Sequence, residues 1–337
     1  AAPVVAEPVP DNNEAIIVVD KDKEQQFNIV QIMFKHDDVP DSMKTSLAYM
    51  VQQYALNLSL QMLNARLAEV GENPECPYLQ AYVSDGDYIY AKSKDAFAVV
   101  CIPKPGQTEA AISAAVREVM RATMFGFTPT EFVRAKSEYM SQLEKVYTNR
   151  NKRENGVYCE LYTRNFIDNE PIPSIEDEYA IMQQISPMIP VEAINEVMKE
   201  LVSVTDTNLV VMSFNTEKEG TVYPTPESIK KAIDTVHGEK LTAWVDNVKQ
   251  EPLIAKMPAK GKITGEKENK TLGYKELTLS NGARVLLKKT DFKDDEVILS
   301  GTSKGGSSLL GEEDLVNADL FGMVIGASGL GNFSSTE

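Results

Sequence analysis

Apolar residues fall into short runs and helical periods along most of the chain. Residues 15–19 and 27–34 are rich in β-branched and aromatic side chains, which predicts two neighbouring strands joined by a charged, solvated turn. The apolar positions that follow recur every three or four residues. This period predicts a long helix, which Asp41 or Ser42 caps and Gly71 ends.

A second group of strands and a series of helices follow. We predict strands at residues 78–84, 88–92 and 96–102, with Asp85-Gly86 as the turn between the first two. Helical periods are found at residues 108–125, 130–148, 154–167, 175–185, 191–201 and 228–236, and a buried-strand run at residues 209–214. Between the first two of these helices, Thr128 and Glu131 have the spacing of a capping box.

This order of elements predicts an α+β domain, in which strands pack against several helices. We place the domain at residues 13–249, after a lead-in at residues 1–12 whose composition is typical of a flexible segment. Residues 250–270 are rich in Pro, Lys and Gly without a period, which predicts a linker. Strand character then returns at residues 274–279, 283–289 and 296–303, with Asn281-Gly282 as a hairpin turn.

Composition argues against some classes of function. The chain has 337 residues, of which 50 are acidic and 34 basic, giving a formal net charge of −16. Such a field repels phosphate backbones and anionic lipids, so nucleic-acid binding is disfavoured. No apolar run reaches the roughly 18 residues that a spanning helix needs. Cys76, Cys101 and Cys159 form no metal-binding or disulfide pattern and are interpreted as idle thiols, which leaves the compartment open.

The two histidines, His36 and His237, do not form an H-x-x-E-H motif, in which two imidazoles one helical turn apart bind zinc and a Glu activates water. His36 is followed by Asp37, Asp38 and Asp41, which either help to hold a cation or belong to an acidic, helix-capping connection. We favour the second interpretation. His237 precedes a glycine at a predicted helix end, where the helix dipole favours its charge.

Other candidate motifs are incomplete. GTSKG, residues 301–305, fits the nucleophile-elbow pattern, but Ser303 is followed by further loop residues and by no later histidine. The glycine-rich residues 326–335 lack the Lys-Ser/Thr pair of a phosphate loop. The acidic clusters Glu312-Glu313 and Glu176-Asp177-Glu178 are interpreted as solvated faces. We therefore identify no catalytic, cofactor-binding or metal-binding residue.

One segment carries a family resemblance. GFTPTEFVRAKSEYM, residues 126–140, resembles the G-[FY]-T-x-x-E-[LF]-x-R-A-K segment of insulinase/pitrilysin-type zinc metallopeptidases and of their processing-peptidase relatives. YCELYTRNFIDNEPIPSIEDEY, residues 158–179, is similar to the stretch that follows it in bacterial members. The resemblance implies a mostly antiparallel sheet with helices on one side.

The end of the chain extends this resemblance. LSNGARVLLKK, which begins at residue 279, is similar to the opening hairpin of such a repeat, but EEDLVNADLFGMV holds no histidine where the catalytic repeat has H-x-x-E-H. Family members have four repeats around an unfolded peptide, and zinc is bound in the first. By resemblance, the chain is a second repeat, a connector, and, from residue 271 to residue 337, a truncated part of the third.

The function implied is that of a non-catalytic, substrate-holding portion of a zinc-dependent endopeptidase. Its partners are then the catalytic repeat of the same polypeptide and a peptide or unfolded protein, with zinc in the parent but none on this chain. Bacterial members often act in the cell envelope, so the resemblance points to the periplasm, although the sequence itself leaves the compartment open. A binding or scaffold subunit is the alternative, and a serine hydrolase using Ser303 is a weaker one. We also expect residues after about Lys270 to be less ordered or to be docked on a neighbour, because a lone hairpin is marginal in water.

Overall fold

The computed structural model describes residues 7–249, 251–293 and 296–335. The strands are β1 Ile16–Asp22, β2 Ile29–His36, β3 Tyr78–Asp87, β4 Asp95–Pro103, β5 Leu209–Thr216, β6 Ile263–Asn269, β7 Tyr274–Leu279 and β8 Arg284–Leu287. The α-helices are α1 Asp41–Lys44, α2 Leu47–Gly71, α3 Thr108–Phe125, α4 Pro129–Thr148, α5 Asn155–Asp168, α6 Ile175–Ile185, α7 Val191–Leu201, α8 Pro226–His237 and α9 Leu315–Ala327. The chain divides into two compact units, Ala1–Leu143 with Asn155–Asn247 and Glu144–Glu154 with Val248–Glu337.

The first unit is built on a sheet whose described strands have the order β1-β5-β2-β4-β3. All neighbouring pairs are antiparallel except β1 and β5, which run parallel. Apolar side chains on one face of the central strands, such as Ile32 and Phe97, are buried in the main core. Helix α2 packs against β3 and α7, and α3 packs against β4 and α8. The α+β class, with helices on one side of a mostly antiparallel sheet, is therefore confirmed.

The strand order corrects one prediction. β1 and β2 are not neighbours, because β5 lies between them and pairs with both. Composition identifies a strand by its own side chains, but the partner of that strand is chosen by contacts that are distant in sequence. The order of the sheet therefore had to come from the structure.

The predicted strand at residues 88–92 is also wrong. Asp85 and Gly86, assigned as a turn, continue β3, and the chain reverses later, where the Tyr88 N–H donates to the Lys94 carbonyl at 2.8 Å. Ile89 has a φ of 58° in this reversal, a backbone conformation that β-branched residues rarely adopt. The sequence preference of Ile89 for a strand is overridden by its position in the turn.

The helices follow the sequence closely. Helices α3, α6 and α7 have the predicted bounds, and the others differ by a few residues at their ends. The cap of α2 is the exception. Pro40 begins the separate one-turn helix α1, so α2 starts later, and Ser46 accepts a hydrogen bond from the Tyr49 N–H at 3.1 Å. Asp41 and Ser42 therefore do not cap the long helix.

The first half of the predicted lead-in, residues 1–6, lies outside the described residues. The following residues contact the sheet. The Lys35 Nζ donates to the Pro10 carbonyl at 2.5 Å, and the Asn12 N–H donates to the Asn208 Oδ1 at 3.1 Å. These bonds cover part of the face of the sheet that is opposite to the helices.

In the second unit, the described strands form a sheet of order β6-β7-β8. The predicted hairpin at Asn281-Gly282 is confirmed, since β7 and β8 pair antiparallel and Gly282 has a φ of 86°. β6 falls inside the predicted linker, because its pairing with β7 outweighs a composition poor in strand formers. Residues 296–303 form no strand in the described part of this unit, and Val297 is 92% exposed.

A buried ion pair joins the helices of the first unit. Arg66 of α2 is 1% exposed, and its Nε and Nη2 donate to the two carboxylate oxygens of Glu131 at 2.7 and 2.9 Å. Glu131 is also the predicted capping-box residue, and the Thr128 N–H donates to it at 2.7 Å. The guanidinium faces the rings of Phe127 and Trp244 at 4.8 and 5.3 Å. One carboxylate therefore caps α4 and neutralises a cation from α2.

We predict that Arg66→Met lowers the free energy of unfolding by about 3 kcal/mol, because it leaves the Glu131 carboxylate buried without its partner. Urea denaturation with an unchanged m-value measures this loss. As a control, Lys199→Met breaks the exposed pair with Glu196 and should change stability by less than about 0.5 kcal/mol. Equal effects of the two substitutions would contradict the assigned role of the buried pair.

Candidate functional site

A cleft of the first unit lies at one end of the sheet. It has a volume of about 660 Å³ and is lined by the end of β2, the β3–β4 turn, the first turns of α2, the α5–α6 connection and the end of α7. Its walls combine acidic side chains with apolar ones such as Leu56 and Ile167. This volume lies within the range of known ligand pockets.

The strand register brings His36 into the cleft beside two carboxylates. His36 of β2 pairs with Asp95 of β4, and Asp95 pairs with Asp87 of β3. The His36 Nε2 lies 2.8 Å from the Asp85 Oδ1, and its Nδ1 lies 3.1 Å from the Asp37 carbonyl. Since both ring nitrogens face oxygen acceptors, the imidazolium form satisfies both contacts. Burial by itself lowers the pKa of His36, but the hydrogen bond and charge of Asp85 outweigh it and raise that pKa.

Asp95 lies on the same row of the sheet without a cation at hydrogen-bonding distance among the described residues. Burial, followed by the negative charge of Asp38, raises the pKa of Asp95 to about 6, although His36 opposes the shift. Asp85 and Asp87 add to the increase. The cleft therefore holds a carboxyl group and an imidazole whose pKa values are both raised.

Two lysines neutralise other carboxylates of the cleft. The Lys44 Nζ lies 3.5 Å from Asp38, 3.4 Å from Asp41 and 3.8 Å from Glu170, and it donates to the Asp168 carbonyl at 3.0 Å. Burial lowers the pKa of Lys44, but the charges of Asp38, Glu170 and Asp41 together raise it. The ammonium group is thereby kept charged, and it ties α1 to the α5–α6 connection.

Lys92 is the second lysine that neutralises carboxylates of the cleft. The Lys92 Nζ lies 2.6 Å from the Asp87 Oδ2 and 2.8 Å from the Asp168 Oδ1, so it joins the β3–β4 turn to the end of α5. The Tyr49 hydroxyl donates to Glu170 at 2.9 Å, and burial together with this carboxylate raises the pKa of Tyr49. The walls of the cleft are thus fixed by bridges between distant segments.

The acidic residues after His36 do not occupy the positions we expected. Asp41 forms no capping hydrogen bond, because Pro40 is the N-cap of α1, and Asp37 pairs with Lys94 at 2.7 Å. These aspartates do lie near His36, but their charges are neutralised mainly by lysines and not by a helix end. No group of three or more His, Cys, Asp or Glu side chains in the described ranges has the geometry to hold a metal ion.

The cleft does not fit zinc. Zinc sites in proteins use three or four imidazole, thiolate or carboxylate ligands in tetrahedral geometry. The only imidazole here bonds to Asp85 and to the Asp37 carbonyl, and the carboxylates around Lys44 and Lys92 already neutralise these cations. No step of a metal-dependent reaction is therefore assigned to these residues.

The remaining sequence candidates lie apart from the cleft. His237 is the last residue of α8, and burial lowers its pKa, which outweighs the favourable effect that we expected from the helix end. Ser303 is exposed and donates only weakly to the neighbouring Lys304 carbonyl, at 3.4 Å. Residues 326–335 begin in the last turn of α9 and continue beyond its C-terminal end, whereas a phosphate loop precedes a helix N-terminus.

Cys76 and Cys101 are buried and Cys159 is exposed, all as free thiols. Burial raises the pKa of Cys101 to about 12, so this thiol is unreactive at neutral pH.

Sequence reasoning missed Asp85, Asp95 and Lys44 as members of one site. A signal was present in the charge of residues 85, 87 and 95 at the ends of predicted strands, but the assigned turn at Asp85-Gly86 concealed it.

The fold of the chain is that of the insulinase/pitrilysin-type metallopeptidases. The crystal structure of the periplasmic protease PqqL from Escherichia coli matches it with a TM-score of 0.62 and 18% identity, over 100% of this chain and 36% of that one. A predicted insulinase family protease from Yersinia pestis matches with a TM-score of 0.57 and 13% identity, over 70% and 49%. The family resemblance read from the sequence is confirmed at the level of the fold.

Sequence comparison gives the same class. The chain is 29% identical over 213 residues to a zinc protease PQQL-like protein of Arabidopsis thaliana, covering 63% of this chain and 22% of that protein. It is 23% identical over 317 residues to the probable zinc protease PqqL of Escherichia coli (strain K12), covering 94% and 33%. The chain thus spans at most a third of the length of these relatives. No protein-family model matches it.

In the described part of the chain, no helix has the length and apolar character required to cross a lipid bilayer.

We predict that Asp95→Asn raises the free energy of unfolding at pH 7 by about 1–2 kcal/mol after allowance for solvent screening. The pKa of Asp95 is 3.8 in its reference state and about 6 in the fold, so the folded state retains a proton that the unfolded state releases. The contribution of Asp95 to stability therefore falls as pH rises from about 4 to about 6, whereas carboxyl groups with a lowered pKa, such as Asp246, contribute in the opposite direction. The raised pKa of His36 extends this fall above pH 6.5, where its own contribution is lost.

Chemical denaturation at half-unit steps of pH measures this slope for the wild type and for Asp95→Asn. The stability that the variant gains over the wild type should grow as pH rises from about 4 to about 6. Glu75→Gln, at an exposed position outside the cleft, serves as the control and should keep the profile of the wild type. A stability difference between the wild type and Asp95→Asn that does not change between pH 4 and pH 7 would contradict the raised pKa of Asp95.

Proposed function

We propose that the chain is a non-catalytic, substrate-holding part of a zinc-dependent endopeptidase. The single observation that carries this proposal is the metallopeptidase fold of a chain whose two histidines lie on different elements, His36 at the end of β2 and His237 at the end of α8. Helix α2 follows β2 and holds no histidine, and neither does α9. The chain thus supplies the fold without an H-x-x-E-H helix.

The parent enzyme would carry zinc on a further repeat of the same polypeptide, and this metal supplies activated water for attack on a peptide carbonyl. We place a repeat at residues 13–249, a connector at residues 250–270 and the start of another repeat at residues 271–337. The relatives that are named as zinc proteases are about three times as long as the chain, and this length is consistent with such a division. The name of the Escherichia coli structure supports a periplasmic location.

A binding or scaffold subunit is the second candidate, because the same repeat without zinc ligands also suits a docking surface. The acidic cleft supports it, since its walls are fixed by Lys44 and Lys92 rather than arranged around a metal. The two functions differ in the substrate: a holding repeat binds unfolded polypeptide in general, whereas a scaffold binds one folded partner.

We predict that the purified chain binds a fluorescently labelled, reduced and carbamidomethylated protein, binds no stoichiometric zinc, and cleaves no peptide bond. Fluorescence anisotropy, metal analysis after dialysis against zinc, and mass spectrometry of the incubated substrate measure these three properties. The native, disulfide-bonded form of the same labelled protein is the matched control and should bind at least about tenfold more weakly.

Each alternative has its own outcome. Cleavage that a chelator blocks, or one tight zinc per chain, would overturn the non-catalytic assignment. Failure to bind the unfolded protein would overturn the substrate-holding role and would favour the scaffold function.

A further inference from the structure

Residues 239–246 cross the helical layer of the first unit as a strap that has neither helix nor strand. The strap follows α8, which ends at His237, and precedes Val248, where the chain passes to the second unit. Its side chains contact α3, α2 and α4 in turn. This short segment therefore lies over three helices of the first unit.

Backbone hydrogen bonds do not hold the strap on these helices. The Glu239 N–H donates to the Val236 carbonyl and the Leu241 N–H to the Glu239 carbonyl, both at 3.1 Å, and both bonds are local. In the described part of the chain, no backbone–backbone hydrogen bond joins residues 242–246 to another element. The attachment of the strap therefore depends on its side chains.

Charged side chains attach both ends of the strap. At one end, the Nε and Nη2 of Arg117 on α3 donate to the Glu239 carboxylate, both at 2.7 Å. At the other end, the Nη1 and Nη2 of Arg134 on α4 donate to the Asp246 carboxylate at 2.8 and 3.0 Å, and the Thr130 hydroxyl donates to it as well. Both ion pairs are partly exposed, so each is individually weak and is screened by salt.

Trp244 attaches the middle of the strap. Its ring centroid lies 5.3 Å from the guanidinium carbon of Arg66 on α2 and 5.7 Å from that of Arg121 on α3. The face of an aromatic ring attracts such cations, and tryptophan does so most strongly. Leu241 is partly buried against the main core. One aromatic and one aliphatic side chain thus dock the strap on a surface that contains arginines.

The strap lacks the features of a permanently fixed segment. None of its eight residues is fully buried, and Val245, next to the docked tryptophan, is 70% exposed. Segments with few buried contacts and few protected backbone hydrogen bonds belong to the part of a protein that opens most easily. The strap meets both conditions.

Docking of the strap has a cost as well as a gain. The Arg66 Nη1 and the Arg121 Nε are buried, and neither has a hydrogen-bond partner among the described residues. A buried donor without a partner costs free energy that contact with water would recover. The contacts of Trp244 and Leu241 favour the docked strap, whereas hydration of the two guanidinium groups favours its release.

We propose that residues 239–246 form a releasable strap, which docks and undocks as one unit while the rest of the first unit stays folded. In the docked state, Trp244 shields the buried Arg66–Glu131 pair from water. In the released state, the arginine-containing surface is uncovered. The eight freed residues can then extend over roughly 26–29 Å, which gives the chain that begins at Val248 additional reach from α8.

The test uses the full chain, because Trp244 is its only tryptophan and reports on the strap directly. Acrylamide quenching measures the exposure of the ring, and hydrogen exchange measures the protection of residues 239–246. We expect weak quenching at low salt. In about 1 M sodium chloride, which screens the ion pairs at both ends, the quenching constant should rise at least about twofold without a loss of far-UV circular dichroism.

The matched variants are Arg134→Glu at the strap and Arg284→Glu in the second unit, since each arginine is exposed and pairs with one carboxylate. Arg134→Glu repels Asp246, so we expect it to raise the quenching constant about threefold or more and to speed hydrogen exchange in residues 239–246. Arg284→Glu leaves the contacts of the strap intact and should change neither property. Adding Asp246→Arg to Arg134→Glu reverses the pair and should restore most of the protection.

The proposal is wrong if Arg134→Glu leaves the quenching in water unchanged, or if Trp244 becomes exposed in urea only together with the loss of circular dichroism. An equal rise in quenching in Arg284→Glu would also overturn it, because release would then not depend on the contacts of the strap. Should Arg134→Glu fail to fold, Arg117→Gln breaks the pair at the other end and carries the same expectation. None of these measurements involves unfolded protein as a ligand, so failure of the proposed function would leave the strap standing.

Discussion

The first unit depends on one buried ion pair. Arg66 comes from the middle of α2 and Glu131 from the start of α4, and both side chains are buried. Removing two charges from water costs several kcal/mol unless their geometry is close to ideal and their other hydrogen bonds are satisfied. Here the guanidinium also donates to the Gly126 carbonyl at 3.0 Å, and the carboxylate accepts from Thr128. The turn between α3 and α4 is thereby held in one position against α2, and the helical layer that covers the sheet follows from it.

The residues that form this pair illustrate what a sequence does and does not reveal. The Thr128 and Glu131 capping box is local, because its atoms are three residues apart, and it was predicted correctly. The partnership of Glu131 with Arg66 spans 65 positions and has no local signal, so sequence reasoning could not find it. Helix bounds depend on nearby side chains and were close to those observed. The strand order depends on distant contacts, so the insertion of β5 between β1 and β2 was missed.

The acidic cleft was missed for the same reason, because its residues are distant from one another in sequence. Its members come from β2, β3, β4 and the α5–α6 connection, and the cross-strand register brings His36, Asp95 and Asp87 into one row. The sequence identified His36 and its acidic neighbours but interpreted them as parts of a helix cap. In the fold, Lys44 and Lys92 bind most of these carboxylates. Asp95 is partly buried without a cation at hydrogen-bonding distance, and its pKa is raised instead. Lysine bridges thus neutralise most of the carboxylates that line this cleft.

The two ends of the sheet therefore have different properties for a reason that lies in the chain itself. At the β3 end, charges and an irregular register discourage the addition of a strand. At the β1 end, a run of apolar residues leaves an edge that is costly to expose to water and prone to pairing. A protein keeps such an edge only if something covers it or if its pairing is useful. At β1 the exposed Ile16 and Val18 lie on one face and the partly buried Ile17 and Val19 on the other, so apolar surface on both faces favours such covering or pairing.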